Sequence, residues 1–488
     1  MKTIASAQLP ENVLMPQYDR QQLKTRIVHF GFGAFHRAHQ ALLTDRVLNA
    51  QGGDWGICEI SLFSGDRLMS QLREQDHLYT VLEKGAHGNQ SIVIGAVKEC
   101  LNAKLDSLAA IIEKFCEPQV AIVSLTITEK GYCIDPATGT LDISNPRIVH
   151  DLQTPDEPHS APGIIVEALH RRRERGVPPF TVLSCDNIPD NGHVVKNAVL
   201  GMAEKRSPEL ALWIQEHVSF PGTMVDRIVP AATEESLDEI AHELGVADPC
   251  AISCEPFIQW VVEDNFISGR PQWERAGVQM VDDVLPWEQM KLRMLNGSHS
   301  FLAYLGYLAG FQHISDCMQD SAFRKAAYCL MLNEQAPTLQ ITDVDLDQYA
   351  TSLLERFANP ALKHKTWQIA MDGSQKLPQR MLESIRVHLA RQSEWPLLAL
   401  GIAGWMRYVS GVDDAGSAID IRDPMSEKIR TIVERSTESE RVTALLSLHE
   451  IFATDLVQNS QFVSAIEQAW QRIAQHGAHQ AVIDTLKN

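Results

Sequence analysis

Long apolar stretches are missing from this chain. Among its 488 residues, no run approaches the roughly 18 consecutive apolar positions that a membrane-spanning helix needs. The N-terminal segment, residues 1–22, also lacks the continuous apolar core of a secretion signal. We therefore predict a cytoplasmic protein that has no membrane partner.

Cysteine and positive charge are both scarce. The nine cysteines are scattered and odd in number, which argues against a disulfide framework and is typical of reduced intracellular thiols. With 43 basic and 62 acidic side chains, the formal net charge of −19 would repel nucleic-acid phosphate. Nucleic acid is therefore not an expected partner, although a basic pocket for a small anion can exist within an acidic surface. The basic cluster at residues 170–175 is predicted to be a solvated helix end.

A dedicated metal motif is also absent from the sequence. His36 and His39, and likewise Cys250 and Cys254, have ligand-like spacings, but neither pair has convincing partners nearby. We expect no metal site.

The first half of the chain alternates short apolar runs with helical patterns. Strands are predicted at residues 26–30, 55–62, 120–127 and 180–184, an alternation typical of a doubly wound parallel sheet. Beyond about residue 280, long helical patterns take over, at residues 287–308, 321–332, 395–409 and 441–452. We therefore predict an α/β dinucleotide-binding domain over residues 1–280, followed by a mainly α-helical domain over residues 281–488.

A glycine turn follows the first predicted strand and opens a helical pattern that runs to residue 48. Such a turn presents backbone N–H groups and a helix N-terminus to a pyrophosphate, with its second glycine allowing close approach. The third glycine of the usual G-x-G-x-x-G pattern is missing, because a histidine stands in its place. An ordinary loop is the alternative, which the strand and helix alternation disfavours. The predicted cofactor cradle comprises Gly31, Phe32, Gly33, Ala34, Phe35 and His36.

An acidic side chain beyond the second strand holds the adenosine ribose of NAD in folds of this kind. Glu59 and Asp66 both lie at a suitable distance, Glu59 within the strand and Asp66 beyond its end. We favour Asp66, whose charge would also repel the 2′-phosphate of NADP. The adjacent Arg67 would attract that phosphate, so the expected preference for NAD over NADP is moderate.

Two later segments place polar side chains at the ends of apolar runs. Asp186 and Asn187 follow the strand at residues 180–184, where ligands bind in open α/β sheets, but an Asx turn explains them equally well. Asp226 and Arg227 are either a substrate contact or a buried ion pair. Both segments are candidates for substrate binding.

The pattern best suited to chemistry places a lysine, an asparagine and a histidine within one apolar helical run. In an α-helix, Asn296 lies about 140° and His299 about 80° around the axis from Lys291. A desolvated lysine can act as a base near neutral pH, and an asparagine amide can stabilise an oxyanion. Asn296 and Gly297 are poor helix formers, and such departures tend to mark functional sites. The structural alternative is a lysine that reaches out to solvent.

Together these motifs resemble the mannitol dehydrogenase family, the polyol-specific long-chain dehydrogenases. The segments that carry the resemblance are residues 29–39, 184–187, 224–227 and 291–299, within a likeness from about residue 20 to 480. The D-mannonate oxidoreductase (fructuronate reductase) branch is the most similar. The resemblance implies a zinc-independent, NAD-dependent oxidoreductase with an N-terminal Rossmann domain and a C-terminal helical substrate and catalytic domain, the substrate lying in the cleft between them.

The resemblance also implies how protons and charge are handled. Lys291 would be the general base in alcohol oxidation and the general acid in ketone reduction, and Glu288 would gate proton exit. Asn187 and Asn296 would form the oxyanion hole. Asp66 matches the ribose-binding acid of the family, in agreement with the preference stated above.

Substrate recognition is where the sequence both matches and departs from the mannitol enzymes. Asp226 and His299 match residues that orient substrate hydroxyls, and Lys376 matches a substrate-binding lysine. Gln368, however, stands where the mannitol enzymes have an arginine. Because an arginine fork binds a carboxylate with two parallel hydrogen bonds, we expect Arg380 to help recognise a sugar acid.

The reaction we predict is reversible hydride transfer between NAD(H) and a hexonate or keto-uronate, with D-mannonate and D-fructuronate the leading pair. Arg293 is the other candidate for the carboxylate, but it lies about 200° from Lys291 on an α-helix and is expected to face away. A neutral polyol such as mannitol or arabinitol, or the pair altronate and tagaturonate, is the alternative substrate. A non-catalytic nucleotide sensor is the alternative class. We expect a monomer or a small homo-oligomer.

Overall fold

The computed structural model describes residues 3–85, 88–135, 138–342, 344–362 and 364–487. The chain divides into two compact units, Met1–Leu285 and Pro286–Asn488. The first unit contains the β-strands and the second is helical, which confirms the predicted fold class.

The first unit is built on a five-stranded parallel sheet with the strand order β5-β2-β1-β6-β7. Two three-stranded mixed sheets, β11-β10-β8 and β4-β3-β9, accompany it among the described residues. The strands are β1 Lys24–Phe30, β2 Trp55–Ser61, β3 Tyr79–Gly85, β4 Gly88–Ile94, β5 Val97–Asn102, β6 Ile122–Leu125, β7 Thr181–Ser184, β8 Thr223–Asp226, β9 Ile252–Cys254, β10 Gln259–Glu263 and β11 Gln279–Val281.

Helices connect these strands, and several begin at a side-chain cap followed by proline. Asn145, Ser160 and Ser207 each accept a backbone N–H of the first turn, and a proline with its preset φ angle occupies that turn. The α-helices are α1 Ala34–Arg37, α2 Gln40–Gln51, α3 Asp66–Glu74, α4 Leu108–Cys116, α5 Pro146–Gln153, α6 Ala161–Glu174, α7 Asn191–Arg206, α8 Pro208–His217 and α9 Glu234–Leu244. Short 3₁₀ turns lie at Arg20–Gln22, Glu129–Tyr132 and Trp273–Ala276.

The parallel sheet separates two apolar layers. Because side chains alternate along a strand, Ile27 and Ile57 belong to one buried cluster, whereas Val28 and Cys58 belong to the other. The four predicted strands of this sheet are confirmed to within two residues at either end.

The helix predicted for residues 34–48 is wrong in one respect, because it breaks at Ala38 and His39 between α1 and α2. The reason is long-range hydrogen bonding by two buried side chains. Arg37 donates to the carbonyl of Cys250 at 2.5 Å, and His39 Nε2 lies 3.2 Å from the carbonyl oxygen of Gln259. A continuous helix would turn these groups away from their partners.

The second unit consists of helices and connecting loops, with no named β-strand among its described residues. Its α-helices are α10 Leu285–Met290, α11 Ser298–Leu308, α12 Ile314–Gln319, α13 Ser321–Cys329, α14 Leu346–Phe357, α15 Thr366–Ala370, α16 Gly373–Leu377, α17 Glu383–Arg391, α18 Pro396–Val409, α19 Ser426–Arg435, α20 Arg441–Leu446, α21 Thr454–Val457 and α22 Ser460–Thr485. Short 3₁₀ turns lie at Ala336–Thr338 and Pro360–Leu362. In the described part of the chain, no helix combines the length and apolar character needed to cross a membrane.

Three π-helical segments interrupt these helices, and sequence periodicity did not predict them. They are Lys291–Gly297 between α10 and α11, Leu330–Gln335 after α13, and Pro378–Leu382 between α16 and α17. We call them the first, second and third π segments. Such segments are rare and occur frequently at functional sites.

The helix α18 forms the centre of the second unit, where it packs against α11 and α22. Its N-terminus is capped from a distance, because the buried carboxyl group of Glu334 accepts the backbone N–H groups of Leu397 and Leu398 at 2.8 and 2.7 Å. Burial raises the pKa of Glu334 to about 8. This contact joins the second π segment to the core of the unit.

The basic cluster at residues 170–175 was predicted to be solvated, and for Arg172 this is wrong. The Arg172 guanidinium is buried and donates to four carbonyl oxygens, those of Phe115, Glu117, Val120 and Pro178, at 2.7 to 3.0 Å. It thereby joins the segments that enter β6 and β7 to α6. Burial lowers its pKa to about 10, so the side chain stays cationic at neutral pH.

We expect Arg172→Leu to lower the free energy of unfolding by about 3 kcal/mol or more, because several buried carbonyl groups lose their donor. Urea unfolding followed by circular dichroism measures this. The exposed neighbour Arg173 supplies a matched control, and Arg173→Leu should change stability by less than about 0.5 kcal/mol. Equal losses in the two variants would contradict the assigned role.

Candidate active site

The glycine turn after β1 is set by a close contact beneath it. Gly31 has a φ of +104°, and a Cβ built there would lie 2.2 Å from the carbonyl oxygen of Thr126. Only glycine fits this position. Gly33 is different, because a Cβ there would meet nothing closer than the Gly31 carbonyl oxygen at 3.9 Å. The space beside Gly33 is therefore open for a ligand.

A buried row of polar side chains lies directly below this turn. His29 of β1 pairs in register with Glu59 of β2 and with Ser124 of β6, so the three side chains share one face of the sheet. His29 Nδ1 lies 2.7 Å from Ser124 Oγ, and its Nε2 lies 3.1 Å from the Gly31 carbonyl oxygen. The row therefore connects the sheet to the turn. Sequence reasoning missed it as a unit, although a polar position shared by adjacent buried strands was a usable signal.

The predicted cradle residue His36 belongs to this row rather than to an open surface. Its side chain is fully buried, stacks on His29 with ring centroids 3.3 Å apart, and places Nε2 2.8 Å from Glu59 Oε1. The His36 side chain is therefore not available to a ligand, and the cradle can use only its backbone. Glu59 is likewise excluded as the ribose acid.

Burial favours the neutral forms of this pair. It raises the pKa of Glu59 to about 7 and lowers the pKa of His36 to about 3. A protonated Glu59 can then donate to a neutral His36. The stacked His29 has its pKa lowered well below the ordinary value by the same burial, with His36 as the next cause.

His29, His36 and Glu59 are also the one group in the described part of the chain whose ligand atoms lie close enough to hold a metal ion. The two imidazole planes are nearly parallel, at 10°, and stacked at 3.3 Å. Because a ring nitrogen binds a metal in the plane of its ring, these rings do not converge on a shared ion. The geometry suits a hydrogen-bonded stack better than a metal site.

Asp66, the predicted ribose acid, is the first residue of α3 and follows Gly65, which has a left-handed φ of 75°. Its exposed carboxylate forms an ion pair with Lys104 at 3.0 Å, and this hydrogen bond lowers the pKa of Asp66. The preceding turn is held by Asn102 Nδ2, which donates to the Ser64 carbonyl at 2.9 Å. Asp66 is therefore ionised at neutral pH and accessible, whereas Arg67 at the next position has no role that the structure assigns.

At the carboxyl ends of β7 and β8, one asparagine organises the backbone around the predicted Asn187 and Asp226. Asn191 Nδ2 donates to the carbonyls of Asp186 and Thr223, each at 3.0 Å, while its Oδ1 accepts the Thr223 N–H at 2.9 Å. Asn187 is exposed one residue beyond Asp186, and Asp226 is the buried last residue of β8. Sequence reasoning missed Asn191, because an asparagine at the start of a helix resembles an ordinary helix cap.

Two polar neighbours of these residues serve the fold. The Asp186 carboxylate accepts the backbone N–H groups of Ile127 and Thr128 at 2.9 and 3.0 Å, which ties β7 to the loop after β6. Arg227 bonds to the carbonyl of Ala38 and forms its ion pair with Glu83. The ion pair considered for residues 226 and 227 is therefore made with a different acid.

The first π segment carries the lysine and the asparagine of the predicted catalytic group. Lys291 is its first residue and is buried, Asn296 is half-buried, and His299 follows in α11. The α-helical geometry predicted here is wrong. A π-helical turn is closed by an i→i+5 hydrogen bond, so it links residues five apart across one turn, and Lys291 and Asn296 are five apart.

His299 presents an imidazole nitrogen that has no hydrogen-bond partner among the described residues. Its Nε2 is buried, and its ring stacks on Phe357 at 5.0 Å. Burial lowers the pKa of His299 well below the ordinary value, with His364 as the next cause, so the imidazole is neutral at physiological pH. A buried, unsatisfied nitrogen of this kind is ready to bond a ligand hydroxyl.

Two further cations lie in the second unit near this helix. The Arg380 guanidinium donates to Ser300 Oγ at 3.0 Å and approaches the Asn296 carbonyl oxygen at 3.5 Å. Burial lowers its pKa to about 10, which leaves it charged at neutral pH. Lys376 bonds to the Met371 carbonyl, and burial followed by the Arg380 charge lowers its pKa to about 8.

Arg293, by contrast, bonds to another part of the fold. Its guanidinium donates to the carbonyl oxygen and hydroxyl of Thr338 at 2.8 and 2.9 Å. Glu288 is half-buried on α10, one turn before Lys291.

The second unit thus groups the side chains needed for proton transfer and anion recognition. They comprise an amine, an amide, a neutral imidazole and a fixed guanidinium, carried by Lys291, Asn296, His299 and Arg380. The first unit supplies the glycine turn and an accessible acid at Asp66. Groups of these kinds can transfer a proton, donate to a developing oxyanion and bind an anion.

Comparison with known proteins is consistent along the whole chain. A model of the mannitol dehydrogenase Rossmann domain matches residues 25–275, and one of the mannitol dehydrogenase C-terminal domain matches residues 283–474. The chain is 82% identical over 487 residues to the uncharacterized oxidoreductase YeiQ of Escherichia coli, covering 100% of both. It is 57% identical over 485 residues to the D-mannonate oxidoreductase of Escherichia coli, covering 99% of both. Pseudomonas fluorescens mannitol 2-dehydrogenase, solved as a ternary complex with NAD and D-mannitol, is 40% identical with a TM-score of 0.82, covering 98% of both chains.

The two glycines of the turn provide a matched pair of variants. We expect Gly31→Ala to lower the free energy of unfolding by at least about 2 kcal/mol, because the methyl group collides with the Thr126 carbonyl and the φ angle is unfavourable. Gly33→Ala should change stability by less than about 0.5 kcal/mol and weaken NADH binding instead. Thermal unfolding and a fluorescence titration with NADH measure the two effects, and similar melting temperatures would contradict the difference.

Proposed function

The chain belongs to the mannitol dehydrogenase family, and on that premise we propose that it interconverts a hexonate and a keto-uronate with NAD(H). It is an oxidoreductase that acts on a secondary alcohol with NAD as its cofactor. D-Mannonate and D-fructuronate are the proposed alcohol and ketone. The identity of 57% with a D-mannonate oxidoreductase supports this pair.

The first unit is proposed to bind the cofactor. The backbone of Gly31 to Phe35 would hold the pyrophosphate, and the open space beside Gly33 leaves room for its approach. Asp66 would accept the ribose hydroxyls. Bound NAD supplies the acceptor for the hydride that leaves the carbinol carbon.

The second unit is proposed to handle the proton. In alcohol oxidation, neutral Lys291 takes the hydroxyl proton while the C–H electron pair departs as hydride, and the C=O bond forms. Asn187 and Asn296 donate hydrogen bonds to the oxygen as its negative charge develops. Glu288 then passes the proton from Lys291 to solvent, and ketone reduction follows the same steps in reverse.

Substrate hydroxyls and the acid group need separate contacts. Asp226 and the unsatisfied Nε2 of His299 are proposed to bond hydroxyl groups. Lys376 is proposed to assist at the carboxylate while it remains protonated, below a pH of about 8. The observation that carries the sugar-acid proposal is the placement of Arg380, a charged and half-buried guanidinium that lies against the helix of Asn296 and Ser300.

A neutral polyol is the second candidate. It is favoured by the 40% identity to the mannitol 2-dehydrogenase that was solved with D-mannitol. Against it, Gln368 replaces the arginine expected of a mannitol site, and the half-buried guanidinium of Arg380 has no counterpart charge on a polyol.

Lys291→Ala is the test of the proton-transfer proposal. We expect reductase turnover at neutral pH to fall by at least about 100-fold, because the general acid is lost, while NADH binding is unchanged. Stopped-flow kinetics and an NADH titration measure the two quantities. The exposed Lys325 of the same unit is the control, and Lys325→Ala should keep full turnover. Near-full activity of the Lys291 variant would rule out the role.

Arg380→Ala is the test of the sugar-acid proposal. The kcat/KM of the unaltered enzyme is measured for D-fructuronate, D-tagaturonate and D-fructose, with NADH and with NADPH as the hydride donor. We expect the highest value for D-fructuronate. In the variant, kcat/KM for D-fructuronate should fall by about 100-fold and that for D-fructose should change little, because the lost interaction is with the carboxylate. Arg386, which pairs with Asp455 at 2.8 Å, is the control. Unchanged kcat/KM on D-fructuronate, or a native preference for D-fructose, would contradict the proposal.

A further inference from the structure

The three π segments meet at one glycine. A Cβ built on Gly297, at the end of the first segment, would lie 2.7 Å from Gln335 Nε2 of the second and 2.8 Å from the Arg380 carbonyl oxygen of the third. Real Cβ atoms do not approach other atoms so closely, so the convergence depends on glycine at this position. Gly297 directly follows Asn296, the proposed oxyanion donor.

Gln335 occupies the centre of this junction. Its side chain is fully buried, and Nε2 donates to the Arg380 carbonyl oxygen at 2.9 Å. Its Oε1 accepts from Ser384 Oγ at 2.5 Å, and its backbone carbonyl accepts from Thr338 Oγ1 at 2.7 Å. A primary amide alone among the uncharged side chains of this length can donate and accept in this way.

Arg380 is consequently held from two directions. Gln335 fixes its main chain, and Ser300 on the helix that follows Asn296 fixes its guanidinium at 3.0 Å. The amide that touches Gly297 is the amide that anchors Arg380. The separation between Asn296 and the Arg380 fork is therefore set by the Ser300 contact at the guanidinium and by the Gln335 amide at the main chain.

We propose that Gln335 is a positioning residue that sets the distance between the protein group that contacts the reacting oxygen and the protein group that contacts the substrate carboxylate. This inference rests on the proposed function, in which Asn296 contacts the first group and Arg380 the second. It assigns the selection of a six-carbon acid over a neutral ketose to a residue that contacts neither the reacting oxygen nor the carboxylate of the substrate. A displacement of about 1 Å at such a site can reduce the rate by about 100-fold.

The test uses Gln335→Met, which keeps the length and approximate volume of the side chain and removes both hydrogen bonds. We expect kcat/KM for D-fructuronate to fall at least tenfold, mainly through KM. The expected value for D-fructose is nearly unchanged, and so is NADH affinity. The ratio of the two efficiencies is the decisive readout, because a general loss of folding lowers both values together.

Two variants complete the design. Thr366→Val removes a buried hydroxyl that donates to the Phe311 carbonyl at 2.9 Å elsewhere in the same unit, and it should leave the ratio unaltered. Ser384→Ala removes the donor to Gln335 Oε1, together with a 3.5 Å contact to Thr338 Oγ1, and leaves the bond from Gln335 to Arg380 in place. It should lower the ratio by a smaller factor, which keeps the test available if the Met variant does not fold.

The outcomes separate the two proposals. A wild-type enzyme that prefers D-fructuronate, with an unchanged ratio in Gln335→Met and Ser384→Ala, overturns the positioning role and leaves the proposed function intact. A wild-type enzyme that reduces D-fructose and no keto-uronate overturns both. A selective fall in the ratio, greater for the Met variant, supports the inference.

Discussion

The close packing at Gly297 is the constraint on which the proposed chemistry of the second unit depends. Where a side chain would ordinarily separate two helical turns, the backbone of Gly297 lies directly against the amide of Gln335 and the carbonyl of Arg380. Asn296 and Gly297 are poor helix formers, and both lie in the π segment. A π turn links residues five apart, as Lys291 and Asn296 are. The two residues of low helix propensity therefore lie in the segment that departs from α-helical geometry.

In the first unit, buried polar contacts beneath the glycine turn hold the turn in place. They belong to the row that joins Glu59, His29 and Ser124, with His36 stacked above, in a part of the sheet from which water is excluded. Burial raises the pKa of Glu59 to about 7 and lowers that of His36 to about 3, which favours the neutral forms and limits the charge in the row. The position of the turn is therefore coupled to the sheet through polar contacts that do not depend on a bound ligand.

The sequence predicted the class of fold, the strands of the parallel sheet and the family, because apolar periodicity and short motifs are local properties. It could not predict the break at His39, where the imidazole bonds to the distant Gln259 carbonyl, or the π segment that begins at Lys291 and ends at Gly297, which packs against the distant Gln335. His36 was placed in the cofactor cradle from its motif position, and the burial of its side chain against Glu59 leaves its backbone for that role. The catalytic and substrate roles remain predictions.

Arg172 has a consequence for how this sequence can vary. Its four partners are main-chain carbonyls, which every residue type carries. The residues at 115–120 and at 178 can therefore change identity freely as far as this contact is concerned, whereas an insertion or deletion there would misplace the acceptors. Arg172 restricts the length of the neighbouring loops and leaves their composition unrestricted, so related chains should differ there by substitution and not by gaps.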